Sequence, residues 1–173
     1  MQAATNLVPP MGWYMIDEID LIALLIDHAE LACLCDMLES VADALPTLPE
    51  EDDAAWVCRE LENRLPTHEA RERRFLETVF APRAMPNGEA VLDRIRCRSA
   101  SQVVQAQDLV AALQPGASPL PATTLGYMLR CFFEACRADM AFEELAILGL
   151  AEQRLTPAAR TLLRDSLDRR CRA

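Results

Sequence analysis

The sequence has few of the residues on which sheets, tight turns and aromatic cores depend. Its 173 residues include 5 glycines and 2 tyrosines, and aromatic residues make up 5% of the chain. Alternating β-branched residues, the pattern of a half-buried strand, are nearly absent, whereas Ala, Leu, Arg and Glu are abundant. The composition therefore predicts an all-α fold. The length fits one domain, which we place at residues 17–173, after an N-terminal arm at residues 1–16.

Long apolar runs and basic clusters are also missing. No run approaches the roughly 18 apolar residues of a membrane span, and the N-terminus lacks the basic flank and apolar core of a signal peptide. The formal net charge of −10 disfavours nucleic acid and anionic membranes as partners, because both require a basic face. The 7 cysteines form an odd count without a spaced framework, which indicates reduced thiols. We therefore expect a cytoplasmic protein that binds neither nucleic acid nor membranes.

Apolar residues recur at helical spacing in four long stretches, which proline-containing segments separate. Asp17 is the expected cap of a first helix that reaches about residue 44, and a second helix covers about 53–80. Pro66 lacks a backbone N–H, so we expect it to kink or interrupt the second helix just before His68.

The second half of the chain has the same organisation. Asn87 is the expected cap of a third helix, and a fourth helix covers about 123–153. Thr156 followed by Pro157 predicts the cap and first turn of a short last helix. Long helices joined by short connections predict an up-down-up-down four-helix bundle with a short additional C-terminal helix.

On each of the four long predicted helices the apolar residues form a stripe along one face. On three of these helices the stripe is interrupted near its middle by side chains of types that bind metals. These are His28 on the first helix, His68 with Glu72 on the second, and Asp139 with Glu143 on the fourth. Residues four apart share one helix face, and mid-helix positions of antiparallel helices meet at one level. Because an unpaired buried carboxylate costs several kcal/mol, we predict that these side chains bind a cation. The ligand set suits iron, manganese or zinc, and carboxylates can bridge two ions.

The third stripe carries a polar residue but no histidine. Gln102 lies at its centre, and we interpret it as a core amide bonded to neighbouring ligands or as a weak ligand. Cys35 and Cys136 share the ligand-bearing stripes and are interpreted as small buried hydrophobes.

The same polar residues also admit a metal-free interpretation. Arg64, Arg98 or Arg130 could turn inward and pair with the acids of the fourth helix, which would build a buried ionic network. The protein would then be a regulatory interaction module that binds no metal. Glu144 lies about 100° around the helix from its neighbour Glu143, so it is expected to be solvated, as are Glu30 and Glu69.

The segments around the candidate ligands form recognisable motifs. Leu-Leu-Ile-Asp-His-Ala-Glu-Leu surrounds His28, Leu-Pro-Thr-His-Glu-Ala-Arg-Glu contains His68 and Glu72, and Ala-Asp-Met-Ala-Phe-Glu-Glu-Leu contains Asp139 and Glu143. Together they resemble the motifs of the hemerythrin-like family of cation-binding four-helix bundles. Glu143 matches a ligand acid of that family, and Asp139 stands where the family commonly carries histidine. The resemblance covers roughly residues 17 to 153.

This resemblance implies a non-heme metal centre, most simply two iron ions, with manganese or zinc as other candidates. The implied ligands are His28, His68, Glu72, Asp139 and Glu143. The implied role is sensing of oxygen, peroxide or nitric oxide, or iron handling, and a protein partner or homodimer is compatible with it. A carboxylate-rich di-iron oxidase is the enzymatic alternative. The sequence assigns no catalytic residue, since it has no Gly-rich phosphate loop and no Ser-His-Asp arrangement.

Overall fold

The computed structural model describes residues 15–80, 88–114, 116–117 and 120–170. Over these residues the chain is helical, which confirms the predicted all-α class, and the only pairing of extended backbone is an isolated bridge between Ile16 and Leu155. None of the described helices is long and apolar enough to cross a membrane. The helical elements are α1 (Glu18–Ala44), α2 (Glu51–Arg59), a π-helical segment (Glu60–Arg64), α3 (Leu65–Val79), α4 (Gly88–Leu113), α5 (Ala122–Leu150), a 3₁₀ turn (Glu152–Arg154) and α6 (Pro157–Arg170).

Side-chain caps fix the beginnings of α1 and α6, as predicted. The Asp17 side chain accepts hydrogen bonds from the backbone N–H groups of Ile19 (2.9 Å) and Asp20 (3.1 Å), and the Asp20 carboxylate accepts one from Asp17 N in return. Thr156 Oγ1 accepts a hydrogen bond from the backbone N–H of Ala159 (3.2 Å) at the start of α6. The predicted cap Asn87 and most of the predicted N-terminal arm lie outside the described residues.

The predicted second helix is continuous but changes its geometry before His68. It begins at Glu51, and between Arg59 and Leu65 it widens into π-helical turns, where Leu65 N–H donates to the Glu60 carbonyl five residues back. Pro66 follows in the first turn of α3, directly after the π-helical segment. The expected disturbance is therefore present as a widened turn and not as a break.

The helices α1, α2–α3, α4 and α5 pack in a closed cycle. α1 packs most extensively against α5, α5 also packs against α4, α4 packs against α2 and α3, and α2 and α3 contact α1. α6 packs against both α1 and α5, and it therefore covers a face of α5 that the other helices leave open.

The buried apolar side chains form two separate clusters. One joins α1, α2, α4 and α5, and the other joins the N-terminal part of α1 with α3, α4, the end of α5 and α6. On every long helix the buried residues between the two clusters are polar. His28 follows Leu24 and precedes Leu31, for example, and Gln102 lies between Ile95 and Ala106. We call six of the buried polar residues near this level the polar layer: His28, His68, Glu72, Gln102, Asp139 and Glu143.

Candidate metal centre

The polar layer contains all six residues that the sequence singles out. Each is between 0% and 8% exposed, so all of them point inward, as their stripe positions predicted. At this depth a polar group costs free energy unless it has a partner. The hydrogen-bond and ion-pair partners of each side chain therefore determine whether the polar layer can bind a metal ion.

Four side chains of the polar layer meet at its centre. One ligand-type atom from each of His28, His68 and Glu72 lies within 4.8 Å of the other two. His28 Nε2 lies 3.2 Å from Glu143 Oε2, and His68 Nε2 lies 3.5 Å from Glu72 Oε2. The two imidazole rings stand edge to face with their centroids 5.5 Å apart. Two nitrogens and two carboxylates thus converge from α1, α3 and α5.

The outer nitrogen of His28 is held by a buried carboxylate. His28 Nδ1 lies 2.7 Å from Glu144 Oε1, which also accepts hydrogen bonds from Arg170 Nη2 (2.9 Å) and Nε (3.2 Å). Burial alone would raise the pKa of Glu144, but the hydrogen bonds from His28 and Arg170 outweigh it and lower that pKa. The prediction that Glu144 is solvated is wrong, since its exposure is 0%. The physical reason is that α6 covers this face of α5.

His68 has a similar but looser arrangement. Its Nδ1 lies 3.6 Å from Asp27 Oδ2, and Arg71 Nη2 lies 2.8 Å from Asp27 Oδ1. Burial raises the pKa of Asp27, and Arg71 partly offsets that rise. Burial and the nearby His28 lower the pKa of His68 to about 3, so its ring is neutral at physiological pH, the form that binds metals. Sequence reasoning missed Asp27 as a site residue, although it directly precedes His28 in the first motif.

Neither Glu72 nor Glu143 forms an ion pair with an arginine among the described residues, although the charges of Arg98 and Arg170 partly offset the rise in the pKa of Glu143. Burial, followed by the contact with Glu143, raises the pKa of Glu72 to about 10, and burial also raises the pKa of Glu143. Glu72 Oε1, His28 Nε2, His68 Nδ1 and Asp139 Oδ1 are buried without a hydrogen-bond partner. The Nε2 atoms of His28 and His68, together with the carboxylates of Glu72 and Glu143, form a donor set that fits a divalent cation.

Asp139 is neutralised differently. The Arg98 guanidinium contacts Asp139 Oδ1, and the Gln102 amide donates to Asp139 Oδ2. Gln102 is therefore a core amide bonded to a candidate ligand, which was the first of its two predicted roles. Asp139 lies in the polar layer, but its carboxylate already has a counter-ion.

The metal-free interpretation named three arginines, of which one turns inward. Arg98 pairs with Asp139, whereas Arg64 pairs with Glu30 and Glu60 near the surface, and Arg130 pairs with an exposed acid at the end of α1. The chain contains no lysine, so every side-chain counter-ion other than histidine is a guanidinium.

The centre of the site encloses little space. A cavity of about 10 Å³ lies among these side chains, and its lining also includes Glu69, Ser99 and Cys136. A volume of this size accommodates about one water molecule or one ion. Cys136 and Cys35 are both buried, as predicted, and their mutual interaction lowers the pKa of Cys35 and raises that of Cys136. Glu69 is half-buried and not solvated as expected, and burial followed by the charge of Glu72 raises its pKa to about 7.

Comparison with protein-family models, with curated proteins and with solved structures gives no match. The resemblance to hemerythrin-like proteins therefore rests on the three motifs alone and stays a prediction.

Proposed function

We propose that the protein is a hemerythrin-like metal-binding protein whose centre is held by His28, His68, Glu72 and Glu143. In this proposal α1, the continuous α2–α3 run, α4 and α5 form an up-down-up-down four-helix bundle, to which α6 is added. The closed cycle of packing among these helices supports that arrangement. The location we propose is the cytoplasm.

The observation that carries the proposal is the orientation of the two histidines. Each imidazole directs Nδ1 toward a carboxylate that an arginine backs, and directs Nε2 toward a buried glutamate. The carboxylates are Glu144, backed by Arg170, and Asp27, backed by Arg71. Metal-binding histidines usually donate their other ring N–H in this way, which fixes the tautomer and increases the basicity of the ligand nitrogen.

Iron is the metal that the resemblance implies, and the mixed nitrogen and oxygen ligand set suits iron, manganese and zinc. A bound iron ion would supply the redox chemistry needed to sense oxygen, peroxide or nitric oxide, or to handle iron. The chain itself supplies tautomer control of His28 through Glu144, and it supplies the carboxylates of Glu72 and Glu143, which would lose their protons on metal binding.

A route for a small ligand lies between α3 and α4. A cavity of about 180 Å³ there is lined by apolar residues of both helices, and it shares Glu69, Glu72 and Ser99 with the small central cavity. A diatomic molecule or peroxide would approach Glu72 from this side, so the metal centre we propose would be reachable without unfolding of the helices.

The test is a metal titration of chelator-treated protein with Fe(II) under anaerobic conditions, and with Mn(II) and Zn(II). We expect stoichiometric binding and a rise in melting temperature, because a ligand that binds only the folded state adds ~2.7 kcal/mol at a hundredfold excess over its Kd. Glu143→Gln should weaken binding strongly, whereas Glu30→Gln, at an exposed position of α1, should not. Absence of binding of all three ions would refute the proposal.

A metal-free regulatory module is the second candidate. The ion pair between Arg98 and Asp139 favours it, as does the raised pKa of Glu72, since both neutralise buried charge without a metal. This candidate predicts that the melting temperature is the same with and without chelator, and that protein purified from iron-supplemented cells carries no stoichiometric transition metal.

A further inference from the structure

We infer that the centre is built for one divalent ion, and that Arg98 takes the place of the second ion that the motifs lead one to expect. This inference rests on the proposed metal-binding function. It concerns the number of ions, which the motifs alone do not determine. The buried charges around the centre and the contacts of Asp139 both bear on that number.

Three of the five buried acids around the centre have an arginine as counter-ion. Arg71 lies 2.8 Å from Asp27, Arg170 lies 2.9 Å from Glu144, and Arg98 contacts Asp139. Each of these pairs is neutral as a unit, so none of the three acids needs a metal to offset its charge.

The two acids that remain are Glu72 and Glu143. Neither forms an ion pair with an arginine in the described part of the chain, and the charged groups they approach are the histidines: Glu143 Oε2 lies 3.2 Å from His28 Nε2, and Glu72 Oε2 lies 3.5 Å from His68 Nε2. When both are ionised they carry two negative charges, which one divalent ion offsets. A second divalent ion would leave two uncompensated positive charges in a layer between two apolar clusters, where unpaired charge is expensive.

The contacts of Asp139 and the volume of the central cavity also favour a single ion. A second ion would need Asp139, but the Arg98 guanidinium forms an ion pair, without an aligned hydrogen bond, with Oδ1 of that carboxylate, and the Gln102 amide donates a hydrogen bond to its Oδ2. The central cavity of about 10 Å³ accommodates about one ion. Arg98 reaches Asp139 from a partly exposed position, with its guanidinium carbon 5.6 Å from the centre of the Phe142 ring. Removal of Arg98 would therefore free a carboxylate beside the first ion.

The experiment counts the Mn(II) and Zn(II) ions bound per folded chain by native mass spectrometry, and compares the wild type with Arg98→Met. We expect one ion in the wild type and two in Arg98→Met. The matched control is Arg96→Met on the same helix, because Arg96 pairs with the exposed acids Glu77 and Asp93, and this variant should bind one ion.

A second pair of variants covers the case in which Arg98→Met does not fold. Asp139→Asn should still bind one ion with an affinity within about threefold of wild type, since the inference gives Asp139 no role in holding that ion. Arg98→Met combined with Asp139→Asn should return the count to one. These variants retain no buried acid without a counter-ion at this position, so they test the inference in folded protein.

The outcomes separate this inference from the proposed function. A wild type that binds no ion overturns the proposed function and the inference with it. A wild type that binds two ions supports the proposed function and overturns the inference. If the wild type binds one ion but Asp139→Asn loses it, or if folded Arg98→Met still binds one, the place assigned to Arg98 is wrong.

Discussion

The buried acids of this protein fall into two groups that differ in what neutralises them. Asp27, Asp139 and Glu144 each contact an arginine, whereas among the described residues Glu72 and Glu143 approach histidines and form no ion pair with an arginine. Burial is nearly the same in both groups. Solvent exposure therefore does not distinguish the acids that we propose as metal ligands from the other buried acids, whereas the absence of an ion pair with a guanidinium does.

The largest effect on stability is expected where a counter-ion of the first group is removed. Arg170→Met leaves Glu144 ionised and fully buried with His28 as its only partner, and we expect the free energy of unfolding to fall by about 3 kcal/mol. Urea unfolding in the presence of chelator measures this. The control Arg169→Met, at the exposed neighbouring position, should change stability by less than about 0.5 kcal/mol. Equal losses of stability in the two variants would contradict the view that Arg170 is needed to neutralise Glu144.

The second group should matter for metal affinity more than for stability. Glu72→Gln removes a proposed ligand but keeps the size of the side chain and a hydrogen-bonding group. We expect the affinity for Zn(II) to fall by about 100-fold or more, since loss of even an indirect partner of a ligand costs up to that much. Isothermal titration calorimetry measures the affinity. An unchanged Kd would place Glu72 with the structural acids.

The raised pKa of Glu72 makes the metal-free protein less stable as pH increases. The carboxyl has a pKa of 4.5 in its unperturbed state and of about 10 in the folded protein, so above pH 4.5 the folded state retains a proton that the unfolded state releases. The contribution of the Glu72 carboxyl to the free energy of unfolding is therefore fully present below pH 4.5 and is lost as pH rises toward 10. Urea unfolding with chelator between about pH 6.5 and pH 8 should show a loss of ~1 kcal/mol per pH unit.

The pH effect should reverse for metal binding. The ion requires ionised glutamates, so its affinity should increase over the same pH range as the Glu72 proton becomes easier to release. Glu72→Gln should reduce the slope of stability against pH by most of that amount. A variant with the wild-type slope would show that another group releases the proton.

The smallest effect is expected at ion pairs outside the polar layer. Arg130→Met breaks a pair with the exposed Asp43, and we expect a change in the free energy of unfolding of less than about 0.5 kcal/mol. Raising the salt concentration should remove even that difference, because exposed pairs are screened. A loss of stability as large as that of Arg170→Met would show that the burial of an ion pair does not determine how much its arginine contributes to stability.

The helices and the inward direction of the candidate ligands could be predicted from the sequence, because both depend on local rules. Periodicity of apolar residues predicted the stripes, and the caps Asp17 and Thr156 predicted where two helices begin. His28 and Gln102 are buried because their positions continue the phase of the leucines around them.

The partners of the polar side chains could not be predicted in this way. Glu144 lies off the main stripe of α5, and only the packing of α6 against α5 buries it and brings Arg170 to it. Which of three candidate arginines pairs with Asp139 also depends on tertiary packing, since Arg64 and Arg98 occur in similar helical contexts. Local sequence determines which face of a helix is buried, but it does not determine which residue of another helix lies opposite.

The π-helical segment Glu60–Arg64 has a consequence for changes in chain length. A π turn holds about one residue more than an α turn, so loss of one residue there can be absorbed by a return to ordinary helical geometry, and the flanking helices keep their relative phase. A deletion between His68 and Glu72 would instead rotate the two side chains apart by about 100°. Insertions and deletions in homologous sequences should therefore be tolerated before Leu65 and excluded after it.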